Sequence, residues 1–176
     1  MPRIARPEPH EYAPFYAAYL ARVPEEVEPA DLMHRQIDTM RALVGGLSEV
    51  GALARYAPGK WSVKEVVGHL SDAERVFAYR LLRLGRGDET PLPAFDENAY
   101  VPAGEFDRRP MADLLDEWVS VRRATLALVA GLPAAAWSRS GTVSGRPISA
   151  RAIGWIIPGH VEHHLAGLRE RYGLGR

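Results

Sequence analysis

Three of the six histidines in this sequence lie within five residues of one another, at His160, His163 and His164. On a helix, residues four apart share a face, with their Cβ atoms about 5–6 Å apart. The imidazoles of His160 and His164 could therefore converge on one metal ion, whose distance to an imidazole nitrogen is about 2.0–2.1 Å. The zinc-protease motif His-Glu-x-x-His is excluded, because Val161 directly follows the first histidine.

The apolar residues around this pair predict which way the imidazoles point. On a helical wheel of about 100° per residue, His164 lies about 40° from His160. The same side carries Ile153, Ile156, Ile157 and Leu168. Both rings should therefore point into a protein core, and His163 should lie at the edge of the apolar stripe.

His69 is the candidate for a third ligand, because it lies at the border of the apolar face of an earlier helix. Three imidazoles leave open positions for water or substrate, an arrangement typical of catalytic sites. The sequence has no cysteine, so any metal must be bound through nitrogen and oxygen. The residues alone also allow histidines that are simply buried and hydrogen-bonded, without a metal.

The elements that must position these histidines are four long amphipathic helices. Their apolar residues recur at helical spacing over about residues 29–55, 62–84, 111–130 and 149–172. Ser62 and Glu65 form a capping-box pattern at the start of the second helix. A shorter helix is expected over residues 11–21. The sequence thus predicts an all-α four-helix bundle, whose interior is a common place for metal sites.

Two long connections join these helices, over residues 86–109 and 133–147. Glycine and serine between Ser140 and Gly145 indicate a small hairpin in the second connection. Pro158 should kink or restart the last helix, because it has no backbone N–H to donate. Trp61, just before the second helix, is expected mainly to pack against the core.

Length and charge limit the class of protein. A chain of 176 residues fits one domain, residues 1–176. Its 22 basic and 22 acidic residues leave no positive excess for nucleic acid. No run of about 18 apolar residues is present, so no membrane span is predicted. A cytoplasmic protein is the simplest interpretation.

The acid or base of a reaction at this site is less well defined. Glu65, Asp72 and Glu162 are candidates only because they lie on the same helices as the histidines. Asp72, Tyr79 and Arg80 could line a pocket, although such positions on a bundle helix usually pack or face water.

The segments 60–70 (KWSVKEVVGHL) and 159–164 (GHVEHH) make the chain resemble the DinB-like superfamily, particularly its YfiT-like metal-dependent hydrolases. The resemblance implies a four-helix bundle with a histidine on the second helix and a His-x-x-x-His pair on the last. It assigns the metal to His69, His160 and His164, and places His163 beside the site or on the surface. It also implies nickel or zinc more readily than magnesium, with manganese or iron as further options; imidazole ligands favour the same ions.

The resemblance leaves the reaction open, because some relatives transfer low-molecular-weight thiols and others isomerise maleylpyruvate. The leading hypothesis is an enzyme whose metal activates water or such a thiol, acting on a small molecule as a hydrolase or a thiol S-transferase. The alternatives are a non-enzymatic metal-binding or stress-response protein, and an interaction protein without metal. Relatives often form dimers, and apolar helix faces would support a homodimer here.

Overall fold

The computed structural model describes residues 3–175 and contains seven α-helices over that range. The four long ones are α2 (Pro29–Val44), α4 (Val63–Gly85), α6 (Met111–Ala130) and α7 (Ala150–Glu170). The short ones are α1 (Ala17–Leu20), α3 (Glu49–Ala52) and α5 (Glu97–Ala103). Helix α4 packs on α6 and α7, and α2 packs on the same two helices, which confirms the predicted four-helix bundle.

The remaining elements are short. Single turns of 3₁₀-helix occur at Pro9–Glu11, Pro14–Tyr16, Phe106–Arg108 and Ala134–Ser138. Strands β1 (Ser140–Val143) and β2 (Arg146–Ser149) form the predicted antiparallel hairpin. Its two turn residues, Ser144 and Gly145, have φ of 53° and 73°, as a tight hairpin turn requires. No helix within residues 3–175 is both long and apolar enough to cross a bilayer.

Helix α4 begins and ends where the sequence predicts. The Ser62 hydroxyl accepts a hydrogen bond from the Glu65 backbone N–H, and the Glu65 carboxylate accepts one from the Ser62 N–H at 2.8 Å. This capping box satisfies two backbone donors that a helix start leaves free. The helix ends at Gly85, where a Cβ would lie 2.7 Å from the Leu132 side chain.

Three predictions about the secondary structure are wrong. The first long helix ends at Val44 and not near residue 55, because two glycines follow and Ser48 caps the separate helix α3, accepting from the Gly51 N–H at 3.1 Å. The connection 86–109 is not a loop throughout, since Asp96 caps helix α5 within it. The helix predicted over residues 11–21 is replaced by two 3₁₀ turns and the short helix α1, because Pro14 starts a new turn.

A buried polar network joins all four long helices. The fully buried guanidinium of Arg122 on α6 donates two hydrogen bonds of 2.7 Å to Glu74 on α4 and one of 2.5 Å to the side-chain oxygen of Gln36 on α2. The Gln36 amide nitrogen donates to the Pro158 carbonyl at 2.9 Å and to Glu162 at 2.8 Å, both on α7. Helix α7 continues through Pro158, so the restart that the sequence predicts as the alternative to a kink does not occur.

Residues 3–23, called here the N-terminal segment, lie across α7. The Trp155 indole donates to the Ile4 carbonyl at 3.0 Å, and Glu11 pairs with Arg151 at 2.6 Å. The backbone of Tyr19 lies so close to Gly159 that a Cβ there would be 2.3 Å from the Tyr19 oxygen. This contact holds the aromatic residues of the segment beside the histidines of α7.

Candidate metal centre

The structure brings together the three histidines that the sequence selects. The Nε2 atom of His160 lies 3.2 Å from Nε2 of His69 and 3.2 Å from Nε2 of His164. One ring nitrogen from each residue lies within 4.8 Å of the others. His160 and His69 are only 4% and 5% exposed, so the nitrogens meet in a site largely shielded from water.

The spacing of these nitrogens fits a divalent ion. Two imidazole nitrogens at about 2.0–2.1 Å from a tetrahedral ion are separated by about 3.3–3.4 Å, close to the separations found here. Hydrogen bonding alone explains the cluster less well, because one imidazole nitrogen carries at most one proton and His160 Nε2 faces two others. Within residues 3–175 these three rings make hydrogen bonds only with one another.

Burial keeps the three imidazoles in the form that binds metal. It lowers the pKa of His69 to about 4. It also holds the pKa values of His160 and His164 well below the usual range, and the neighbouring imidazoles lower them further. The pKa of His163 is lowered first by burial and then by Arg22 and Arg171. Neutral imidazoles at neutral pH have a free lone pair for a cation.

Aromatic rings surround the histidine cluster. The ring centroid of Trp61 lies 4.8 Å from that of His69, and those of Tyr19 and Phe77 lie 5.2 and 5.5 Å from that of His160. Trp61 therefore contacts the site itself, a role that its position before a helix cap did not indicate. Rings that pack against an imidazole fix its orientation and keep water away from it.

A cavity of about 310 Å³ opens beside the three histidines and is called here the aromatic cavity. Besides the histidines it is lined by Phe15, Tyr16, Tyr19, Trp61, Phe77, Phe95 and Glu97. Glu97, the first residue of α5, is the only carboxylate among these lining residues. Glu97 is not among the residues that the sequence indicates, because it lies in a segment predicted to be a loop.

A second cavity of about 310 Å³, called here the basic cavity, adjoins the first. Both cavities are lined by Trp61, His163 and His164. The basic cavity is further lined by Arg22, Tyr56, Lys60, Asn98, Glu170 and Arg171, among others. His163 is half-buried between the two cavities and lies beside the cluster, as the resemblance implies.

The carboxylates suggested by helix proximity line neither cavity. Glu65 is used in the capping box, Glu162 accepts from Gln36, and Asp72 lies 3.6 Å from Arg75. Arg80, considered as a pocket residue, is buried and donates to the Pro93 carbonyl at 2.8 Å. Tyr79 is 49% exposed.

The fold and the site together define a four-helix-bundle protein with three histidines from two helices at one cavity. The chain belongs to the DinB superfamily, whose family model matches residues 32–167, a range that includes the three histidines. The resemblance stated from the sequence motifs is therefore confirmed.

Two known proteins are similar to this chain, one in sequence and one in fold. A protein of Oceanobacillus iheyensis named "Putative metal-dependent hydrolase" is 30% identical over 86 residues, which cover 45% of this chain and 49% of the relative. The match thus spans about half the length of that relative. YfiT from Bacillus subtilis, described as a probable metal-dependent hydrolase with an unusual four-helix bundle topology, superposes with a TM-score of 0.68 over 96% of this chain and 93% of its own. At 18% identity, this likeness shows the same fold.

Proposed function

We propose that this protein is a metal-dependent enzyme in which His69, His160 and His164 hold one divalent ion and a small-molecule substrate occupies the adjoining cavities. The observation that carries the proposal is the convergence of three imidazoles on the wall of a cavity, two of them buried and the third half-buried, with His160 Nε2 3.2 Å from Nε2 of each of the other two. A site that only stabilised the fold would be closed by a fourth protein ligand. Among the described residues, three side chains lie close enough together here to hold one ion, and all three are histidines.

Three imidazole ligands also limit which metals and which classes of reaction are expected. Imidazoles favour zinc and nickel over magnesium, with manganese and iron as further candidates. When bound, a divalent ion supplies a Lewis acid that makes a water molecule or a thiol more acidic at neutral pH. Hydrolysis, the activity in the names of both relatives, is the first reaction to test. Transfer of a low-molecular-weight thiol is the second, and its thiol would come from a cosubstrate, because the chain has no cysteine.

Residues of this chain supply the remaining parts of the proposed reaction. Trp61 and Phe77 pack against His69 and His160, hold the imidazoles in place and exclude water from the cluster. Glu97 lines the same cavity as the histidines and is half-buried. We assign to its carboxylate the task of accepting a proton from the attacking water or thiol, the usual contribution of a general base.

Metal analysis tests the site. Protein purified without an affinity tag should contain about one zinc or nickel ion per chain by plasma mass spectrometry. His160→Ala should lose it. His34→Ala should keep it, because His34 lies on α2 away from the cluster. A free ion concentration of 100 times Kd should raise the unfolding free energy of the wild type by about 2.7 kcal/mol.

Two results would contradict parts of this proposal. Folded wild-type protein that takes up no added ion, with the same melting temperature in chelator, would exclude the metal site and favour simply buried histidines. Stoichiometric metal without turnover of esters, amides or thiol acceptors would favour the non-enzymatic metal-binding protein.

A further inference from the structure

The basic cavity collects three cationic side chains from distant parts of the sequence. Arg22 follows α1, Lys60 precedes α4 and Arg171 follows α7. Within residues 3–175, none of the three lies within 4.0 Å of a carboxylate oxygen. Glu170 is the only carboxylate among the lining residues, so the cavity has an excess of positive charge.

Aromatic contacts fix the walls that carry these cations. The Arg171 guanidinium lies over the Tyr56 ring at 5.4 Å and donates to the Tyr56 hydroxyl at 3.3 Å. The Tyr172 hydroxyl donates to the Trp61 carbonyl at 2.6 Å, which ties the end of α7 to the turn that carries Lys60. Lys60 and Arg171 therefore lie on elements that are joined to each other, which limits the reorganisation that ligand binding would cost.

The two cavities differ in chemistry and meet at the histidines. His164, a member of the metal cluster, lines both, together with Trp61 and His163. On one side are unpaired cations, and on the other are mainly aromatic rings. A ligand that spans both cavities would therefore place a negative group and an apolar group on opposite sides of the histidine cluster.

We infer that the protein binds a small organic acid, with its carboxylate or phosphate group at Arg22, Lys60 and Arg171 and its apolar part in the aromatic cavity. Arginine and lysine are the side chains that recognise such anions. Each cavity has the volume of an ordinary small-molecule site, about 300 Å³ or more. The inference rests on the proposed function only in its consequence, which is that the reacting bond lies between the two parts of the ligand.

Matched neutral and charged probes test this inference by isothermal titration calorimetry. Phenylacetate and phenylacetamide have nearly the same shape and differ in charge, and phenyl phosphate tests the other anionic group. Both chelator-treated and zinc-loaded protein are used, because a carboxylate could also bind an ion directly. Wild-type protein should bind each acid with a Kd about tenfold lower than that of the amide, in both the chelator-treated and the zinc-loaded form.

Charge variants locate the anion. In Arg22→Gln/Lys60→Gln the preference for acid over amide should fall to about twofold or less, in line with the loss of two charge-assisted contacts. Both residues are exposed, so the fold should tolerate the change. Arg169→Gln is the matched control, since Arg169 is exposed on α7 and does not line the cavity. It should retain the full preference.

Equal binding of acid and amide, or no binding by any acid of an aromatic and aliphatic panel, would overturn the inference. So would a preference that appears only with zinc and survives in Arg22→Gln/Lys60→Gln. Zinc uptake is measured separately. A charge preference without zinc uptake would therefore refute the metal proposal alone, and zinc uptake without the preference would refute the anion site alone.

Discussion

Replacing Gly159 by alanine tests how the N-terminal segment is held against the histidine cluster. The added Cβ would lie 2.3 Å from the carbonyl oxygen of Tyr19 and 2.7 Å from its carbonyl carbon. Cβ atoms in folded proteins essentially never make contacts shorter than 3.0 Å. Because both contacted atoms belong to the backbone, no side-chain rotation relieves the overlap, and the segment must move away from α7.

The size of the effect follows from two opposing terms. Overpacking of this kind typically costs about 1–3 kcal/mol. Alanine is favoured over glycine inside a helix by about 0.8–1.0 kcal/mol, which offsets part of that cost. Gly167→Ala is the matched control on the same helix, because its Cβ would meet nothing within 4 Å. The control should be stabilised slightly, so the difference between the two variants measures the clash at about 1–3 kcal/mol.

Urea unfolding of both variants measures this difference, and hydrogen exchange locates it. The Tyr19 ring lies 5.2 Å from that of His160 and 5.4 Å from that of His163, so displacement of the segment should open the aromatic cavity. Faster exchange in residues 17–23 is expected only in Gly159→Ala. If Gly159→Ala is stabilised as much as Gly167→Ala, with unchanged exchange, the segment is not held by this close approach.

The remaining predictions concern a buried ion pair, histidine protonation and the carboxylate in the aromatic cavity. Glu74→Ala leaves the Arg122 guanidinium buried without its carboxylate partner and should cost about 3–5 kcal/mol in urea unfolding. Glu117→Ala, at a partly exposed pair, should cost about 1 kcal/mol or less. In chelator, stability should fall as the pH drops below about 6.5, by about 1.4 kcal/mol per pH unit for each histidine that is protonated only in the unfolded chain. For His69 this loss should continue to about pH 4, because the unfolded chain binds the proton first. Glu97→Gln should lower kcat by about 10²–10⁴ on a substrate once one is found, with unchanged metal content.

Each of these expectations has a result that contradicts it. Equal losses of unfolding free energy in Glu74→Ala and Glu117→Ala would show that burial does not make the Arg122–Glu74 pair more important for stability than a partly exposed pair. A flat stability between pH 7 and pH 5 in chelator would show that the three histidines are not buried as neutral imidazoles. Wild-type kcat in Glu97→Gln would remove that carboxylate from the reaction.

The sequence predicts the His160–His164 pair and the helix that carries His69, because both depend on residues close together in the chain. His160 and His164 share a helical face by their spacing alone, and the capping box at Ser62 sets the start of the helix that carries His69. Both features depend on residues within one or two turns of each other. The meeting of α4 with α7 came from the resemblance to a known family, since neither helix alone specifies its neighbour.

The surroundings of the cluster could not be predicted in this way, because they depend on tertiary packing. Helix α5 has seven residues and includes a proline, so it has no long apolar period, yet it packs on α4 and brings Glu97 to the cavity. Arg22, Lys60 and Arg171 have no periodic relation along the chain. They share a cavity because the ends of three different elements meet there.

The buried network contacts α7 at Pro158, two residues before His160. Pro158 cannot donate a backbone hydrogen bond, which weakens the helix there. Its carbonyl accepts a hydrogen bond from the Gln36 amide at 2.9 Å, and the Gln36 side-chain oxygen accepts one from Arg122 at 2.5 Å. The Arg122–Glu74 pair, which is costly to desolvate, fixes this amide and so the position of α7 against α2 and α4. The geometry of the candidate metal centre would then depend on a charge pair in the bundle core as well as on the ligands themselves.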